Sequence, residues 1–127
     1  GKELWRISSG QVNGVASLAV LGRYLYGLSL KGGFFVIDIR RRAVVHTADL
    51  RALCPGFSAM VVNRGAVYAA SDTTVFRFDP KTFAVTTVVE SINGGWYSGP
   101  HIANDEHGML YTMRERNLVK IDDRPHR

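Results

Sequence analysis

Short apolar stretches separated by turn residues recur along this chain at a spacing of about 42 residues. Two residue types mark the repeat: a tyrosine (Tyr26, Tyr68 and Tyr111) and an aspartate (Asp38, Asp79 and Asp122). The tyrosines lie 42 and 43 residues apart and the aspartates 41 and 43 apart. Because several matched residues follow one another in a fixed order, the pattern indicates an internal repeat.

Each repeat predicts four short strands. The stretches VFRF at 75–78 and LVKI at 118–121 are rich in β-favouring apolar residues and place a basic residue between them, as strands do. In the second repeat the strands are predicted at residues 58–63, 66–71, 74–79 and 84–90. No stretch of ten or more residues has a helical period, and residues 51–53 predict at most a single turn.

Four-stranded repeats at this spacing are typical of β-propeller blades, so the predicted fold is all-β. Residues 1–127 then form one propeller module, with repeats at about 16–50, 58–90 and 101–122 and an N-terminal strand at 3–8. A sandwich or barrel of hairpins is the alternative, although neither requires the repeat. Five residues are expected to be buried between blades: Val61, Val67, Ala69, Val75 and Phe78.

The third repeat lacks a fourth strand, and the predicted strand at residues 3–8 precedes the first strand of repeat one. The repeat spacing continues if Arg127 of one copy is followed by Gly1 of another. We therefore expect residues 3–8 to complete the third blade of a second copy, giving a homodimeric six-bladed ring. The alternatives are a fragment of a longer propeller, an assembly with other chains, or a closed ring of three blades with extreme wedge angles.

Composition narrows the function classes only slightly. Hydrophobic residues make up 46% and charged residues 21% of the chain, which is typical of a globular domain. No apolar stretch is long enough to predict a membrane span, and no signal peptide is recognised, so cytoplasmic and secreted locations both stay open. The single Cys54 excludes an internal disulfide framework.

The net charge of +5 could attract acidic polymers. The basic residues are scattered, however, apart from Arg40, Arg41 and Arg42 at an expected turn. Basic and aromatic residues also do not alternate on one strand face, which argues against nucleic-acid binding.

Ligands of propellers usually meet the loops at one end of the central channel, which here include residues 91–100. Trp96 and Tyr97 offer apolar ring faces for a sugar or another flat small molecule. His101 aligns with Ala16 and Ser58 of the other repeats, so a histidine replaces two small residues. We predict that His101 contacts a ligand or acts as a general base.

The turn between the second and third strands of repeat three adds Arg114, Glu115 and Arg116 to this predicted ligand end. Packing roles for the aromatic residues and a solvated turn for the charged ones are the alternatives. No histidine pair has metal-ligand spacing, and no phosphate-binding loop or nucleophile elbow is present, so neither a metal site nor a cofactor is predicted.

The motifs GPHIA at 99–103, GMLYT at 108–112 and NLVKID at 117–122 resemble the repeats of streptogramin-lyase-like propellers. The run from YLY at 24–26 to VID at 36–38 is similar to the repeats of bacterial surface (YVTN-type) and sugar-lactonase-type propellers. The lyase resemblance implies a catalytic histidine, matched by His101, and a magnesium ion held by glutamates. This chain has Arg114 where such a glutamate is expected, with Glu115 one residue later.

Three hypotheses about function follow. The leading one is a propeller-forming assembly or ligand-binding module with a small molecule or carbohydrate at the channel mouth. The second is a lyase or hydrolase that uses His101, with magnesium if the resemblance to the lyases holds. The third is a fragment of a larger propeller without activity of its own.

Overall fold

The computed structural model describes residues 1–90 and 99–124, and these form an all-β structure. The eleven strands are β1 (Val15–Leu21), β2 (Tyr24–Ser29), β3 (Gly33–Asp38), β4 (Ala43–Asp49), β5 (Ala59–Asn63), β6 (Ala66–Ala70), β7 (Thr74–Phe78), β8 (Val85–Glu90), β9 (Ile102–Asn104), β10 (Leu110–Arg114) and β11 (Asn117–Ile121). A single 3-10 turn, Leu30–Gly32, joins β2 to β3. In the described residues no helix has the length and apolar character that a membrane span needs.

The strands form three antiparallel sheets, each in chain order. The first sheet is β1-β2-β3-β4, the second is β5-β6-β7-β8, and the third is β9-β10-β11. The predicted strands of the second repeat agree with β5–β8 within one residue at every end. This agreement arises because turn residues bound each apolar stretch closely.

The sheets pack face to face through two apolar clusters. The cluster between the first and second sheets contains Tyr26, Leu28, Phe34, Val36, Cys54, Val67, Ala69, Phe76 and Phe78. The cluster between the second and third sheets contains Ala66, Tyr68, Ala70, Val75, Ile102, Leu110 and Ile121. The second sheet is therefore covered on both faces, and β6 is buried along its whole length.

Four of the five residues predicted to lie between blades, Val67, Ala69, Val75 and Phe78, are fully buried. Val61 is only partly buried, at the margin of the second cluster.

The first strands of successive sheets lie next to one another, β1 against β5 and β5 against β9. The Oγ atoms of Ser17 and Ser58 are 2.5 Å apart at the first of these contacts. At the second, Asn104 Nδ2 donates a hydrogen bond of 2.8 Å to the carbonyl of Val62. Side-chain hydrogen bonds thus fix neighbouring sheets where their first strands meet.

The repeated aspartate has a structural role at the turn after the third strand of each sheet. Asp79 Oδ1 accepts hydrogen bonds from the amides of Lys81 and Thr82, at 2.8 and 2.9 Å. Asp38 accepts the corresponding amides of the first sheet, and Asp122 accepts one in the third. An aspartate that bonds the backbone two or three residues ahead stabilises a tight turn.

Asp38 also forms a partly buried ion pair, because Arg23 Nη2 donates to its Oδ2 at 2.6 Å. Burial by itself would raise the pKa of the Asp38 carboxyl. The hydrogen bonds from Arg23 and from the amides of Arg41 and Arg40 outweigh burial, and the pKa is lowered overall. The carboxylate is therefore more stable in the folded chain than in the unfolded one.

We expect Asp38→Asn to destabilise the fold at neutral pH and to have less effect in acid. The lowered pKa contributes stability above about pH 4, the ordinary value for aspartate, and this contribution is lost as the pH falls through the folded pKa. Urea unfolding of both proteins at pH 7 and pH 3 measures the difference. A stability gap that stays constant between these two pH values would contradict the assigned role of the ion pair.

Residues 1–14, all of which the structure describes, contain no strand. The segment lies beside the first sheet: the Arg42 guanidinium is 5.5 Å from the centre of the Trp5 ring, and Ser29 Oγ donates to Gln11 Oε1 at 3.2 Å. The strand predicted at residues 3–8 is therefore not formed within a single chain. A strand requires a hydrogen-bonding neighbour, and here this segment pairs with none of the described strands.

Candidate functional site

Four of the predicted ligand residues, His101, Arg114, Glu115 and Arg116, fall at one end of the sheets, which we call the mouth end. It is formed by the starts of β1, β5 and β9 and by the β2–β3, β6–β7 and β10–β11 turns. Antiparallel pairing brings these features together, since a strand starts where its neighbour ends. The opposite end carries the turns that follow the first and third strands of each sheet.

His101 and the charged turn of the third sheet both lie at the mouth end. Ile102 pairs with Thr112, so His101 precedes β9 next to the last residues of β10. Thr112 Oγ1 donates a 2.7 Å hydrogen bond to the His101 carbonyl and fixes the backbone there. The His101 side chain belongs to an exposed residue, as expected for a group that could meet a ligand.

Arg114 ends β10, and Glu115 and Arg116 form the two-residue turn to β11. All three residues are exposed. Glu115 adopts a left-handed backbone with φ of 55°, which the tight turn imposes. The structure thus brings His101 and this turn to the same end of one sheet. Trp96 and Tyr97 lie outside the described residues.

Strand register corrects the repeat position of His101. Ser17 pairs with Leu28, and Ala59 pairs with Ala70. Leu28 and Ala70 each lie two residues after the repeated tyrosine of their own repeat. Continuing the β9–β10 register by one residue places His101 opposite Met113, which is also two residues after its tyrosine. His101 therefore corresponds to Ser17 and Ala59, whereas the repeat pattern in the sequence paired it with Ala16 and Ser58. The displacement arises because the connection from β9 to β10 is one residue longer than its counterparts. Ala103 pairs with Tyr111, eight residues later, whereas Val61 pairs with Tyr68, seven residues later.

The register also indicates which way His101 faces. Ala59 packs at the margin of the cluster between the second and third sheets, so its position faces the next sheet along the chain. Ile102 belongs to the same cluster and faces back toward the second sheet. Because side chains alternate along a strand, the His101 position lies on the outer face of the third sheet, away from the second.

A cleft of about 340 Å³, which no sequence signal predicted, lies at the opposite end, between the second and third sheets. Asn63 Nδ2 donates to the Gly108 carbonyl at 2.9 Å, and Arg64 donates to the carbonyls of His107 and Gly108. The His107 residue is exposed. Since the polar groups of Asn63 and Arg64 bond to backbone carbonyls, their clearest role is to join the two sheets.

A buried tyrosine forms a second polar link between the same sheets. Tyr68 donates its hydroxyl to Asp123 Oδ2 at 2.6 Å, and Arg77 lies 3.9 Å from the same oxygen. Burial, followed by the bond to Asp123, raises the pKa of Tyr68 to about 12. The phenol therefore stays protonated at neutral pH and serves as a hydrogen-bond donor.

The chemistry of the remaining candidate groups is limited. Cys54 is fully buried, and burial raises the pKa of its thiol, so little thiolate exists at neutral pH. In residues 1–90 and 99–124 no group of three or more His, Cys, Asp or Glu side chains is placed to hold a metal ion. The roles predicted for His101 and for magnesium stay predictions.

No protein-family model and no curated protein matches this chain. Among solved structures, the chain is similar to the crystal structure of the computationally designed Ika4 protein. The two share 18% sequence identity over 97% of this chain and 80% of the designed one, with a TM-score of 0.63. At this identity the likeness concerns the fold alone.

Proposed function

We propose that this chain is an assembly module of the β-propeller type, which binds another polypeptide to complete a ring of sheets. The proposal rests on three features of the described residues: an open edge on the third sheet, an open face on the first sheet, and an open face on the third. The contact between successive first strands supports a radial arrangement, in which the sheets spread outward from a common axis.

The main support for the proposal is the exposure of Leu118. This leucine of β11 is 70% exposed. Its counterpart in the second sheet is Val75. In each sheet this position lies two residues before the residue that pairs with the repeated tyrosine. Val75 is fully buried. β7 pairs with β8, whereas β11 has no outer neighbour among the described strands. An open edge beside an exposed apolar residue is the kind of surface that binds another polypeptide.

The faces of the first and third sheets that point away from the second sheet also carry exposed apolar residues. Leu18 and Val20 of β1 are exposed on the face of the first sheet that points away from the second. On the outer face of the third sheet, Ala103, Leu118 and Lys120 are exposed. A ring would cover both faces by placing them against each other.

Assembly would also bear on the predicted ligand site. His101 lies on the outer face of the third sheet, so ring closure would place it at a joint between two polypeptides. A ligand-binding role for His101, Arg114, Glu115 and Arg116, together with Trp96 and Tyr97, is therefore secondary to assembly in this proposal.

We expect Leu118→Lys to weaken assembly at least about tenfold, because burying a leucine contributes roughly 1.5–3 kcal/mol and each 1.4 kcal/mol is a factor of ten. Light scattering across a concentration series measures the assembled mass against the 14.1 kDa of one chain. Thr87→Lys is the matched control, because it adds the same charge at an exposed position of β8, the outer strand of a complete sheet, opposite the uncharged Phe76.

The wild type and Thr87→Lys should both form the larger species. Hydrogen exchange of the β11 amides gives an independent readout, since a paired edge is protected. A wild-type chain that stays at the mass of one copy, with rapidly exchanging β11 amides, would refute the proposed function.

A further inference from the structure

We infer that the partner is a second copy of this chain, and that the two copies exchange residues 3–8 as the missing fourth strand of each third sheet. This inference rests on the proposed function. It identifies the partner and the strand and faces through which the two copies meet. Each β11 edge receives the N-terminal segment of the other copy. At the same joint, the outer face of one third sheet packs on the open face of the other copy's first sheet.

Equivalent positions in the three sheets identify the faces that belong together. Phe76 and Phe78 of the second sheet face the first sheet. Their counterparts in the third sheet are Val119 and Ile121, which face the second sheet. Each sheet therefore uses this pair of positions to pack on the sheet that precedes it.

In the first sheet the same two positions are Phe35 and Ile37. Both are buried, at 2% and 6% exposure, on the face that carries the exposed Leu18 and Val20. This face belongs to neither of the two apolar clusters between the sheets. The first sheet thus has a face built for a preceding sheet, and the third sheet has a face built for a following one.

The chain cannot join its own two open faces while the packing described here is kept. Its second sheet lies between the first and third and packs on both. The Asn63–Gly108 and Tyr68–Asp123 hydrogen bonds hold the third sheet on the second. A preceding sheet for the first must therefore come from outside residues 1–127, and a second copy has that surface. Two copies related by a two-fold axis satisfy both pairs of faces and close the assembly.

The N-terminal segment lies where an exchanged strand is needed. At the existing joint, the outer part of the second sheet reaches across to the first: Phe83, just before β8, lies 5.2 Å from the Tyr24 ring. At the open joint, residues 1–14 lie beside the first sheet in the place that the first sheet itself takes beside the second. Trp5 lies next to Arg42, and Gln11 accepts a hydrogen bond from Ser29.

The apolar residues of the segment support the same pairing. Leu4 is 79% exposed in the single chain, and Leu118 on β11 is exposed as well. Adding residues 3–8 to β11 would satisfy the open edge and bring apolar side chains of both strands into one sheet.

Proline substitutions in the full chain test the exchange. In the fourth strand, alternate amides point toward β11 and toward solvent, so only one of two neighbouring residues donates to the ladder. Arg6→Pro and Ile7→Pro should therefore differ. One should weaken the dimer at least about tenfold, and the other should weaken it less. Lys2→Pro is the control, because it places proline in the same exposed segment outside the exchanged strand.

Sedimentation equilibrium gives the dissociation constants, and circular dichroism shows whether each variant keeps its strand content. We expect the wild type and Lys2→Pro to be dimers of twice 14.1 kDa. A dimer that neither Arg6→Pro nor Ile7→Pro weakens would overturn the exchange but leave the proposed assembly standing. A protected β11 edge in a chain that does not dimerise would overturn the second copy as partner. A monomer with an unprotected β11 would remove both proposals.

Discussion

Replacing Phe78 by alanine should lower the free energy of unfolding by about 3–5 kcal/mol, the usual cost of removing a buried phenylalanine ring. Phe78 is fully buried, and its ring stacks on Phe34 with the centres 4.2 Å apart. It also contacts the rings of Tyr26 and Phe76, at 5.8 and 5.6 Å. The ring therefore fills the contact between the first and second sheets, and its loss leaves a cavity there.

Urea unfolding monitored by circular dichroism measures this cost. Phe57→Ala is the control, because Phe57 is 56% exposed and its truncation should cost about 1 kcal/mol or less. Equal losses for the two variants would contradict the packing assigned to the first and second sheets.

Gly32→Ala should also be strongly destabilising, by about 2–4 kcal/mol, since it combines overpacking with a left-handed backbone. Gly32 has φ of +79°, and a Cβ there would lie 2.5 Å from the Arg51 nitrogen and 2.7 Å from the Leu50 carbonyl carbon. These are backbone atoms, held near Gly32 because the Leu50 amide donates to its carbonyl at 2.7 Å. Neither partner can turn away as a side chain would.

Gly65→Ala separates the two effects. Gly65 has φ of +72°, but no atom beyond its chain neighbours lies within 4 Å of the position that a Cβ would take. It should therefore show only the conformational cost, about 1–2 kcal/mol. Thermal unfolding of both variants at one pH gives the comparison. A Gly65→Ala variant as unstable as Gly32→Ala would mean that the contact with residues 50 and 51 contributes little.

Local features were predictable from the sequence because their causes are local. The turn aspartates bond amides two or three residues ahead, so Asp38 and Asp79 mark the ends of β3 and β7 in the sequence itself. Alternating apolar residues such as Phe76 and Phe78, with Arg77 between them, indicate a strand for the same reason. The strand bounds of the second repeat and most of its buried residues follow from these signals.

Features that depend on distant contacts were not predictable in the same way. The bonds from Asn63 and Arg64 to residues 107 and 108 join two sheets through backbone carbonyls, which any residue type can provide. The register of His101 was displaced because the connection from β9 to β10 is one residue longer than those of the other sheets, and this extra residue leaves no mark in the apolar pattern. Residues 3–8 have the composition of a strand, but a strand forms only where an edge is available.

The position of the second sheet affects how the chain responds to damage. Each outer sheet shares one apolar contact within the chain, whereas the second shares two. In an array where each unit contacts only its neighbours, stability is the sum of the units and of the contacts between them. A defect in β6 therefore weakens both contacts and uncouples the two ends of the chain, while a defect in β2 or β10 leaves one contact intact. Cooperativity in this chain is centred on its middle sheet, and tolerance of sequence change should increase toward both ends.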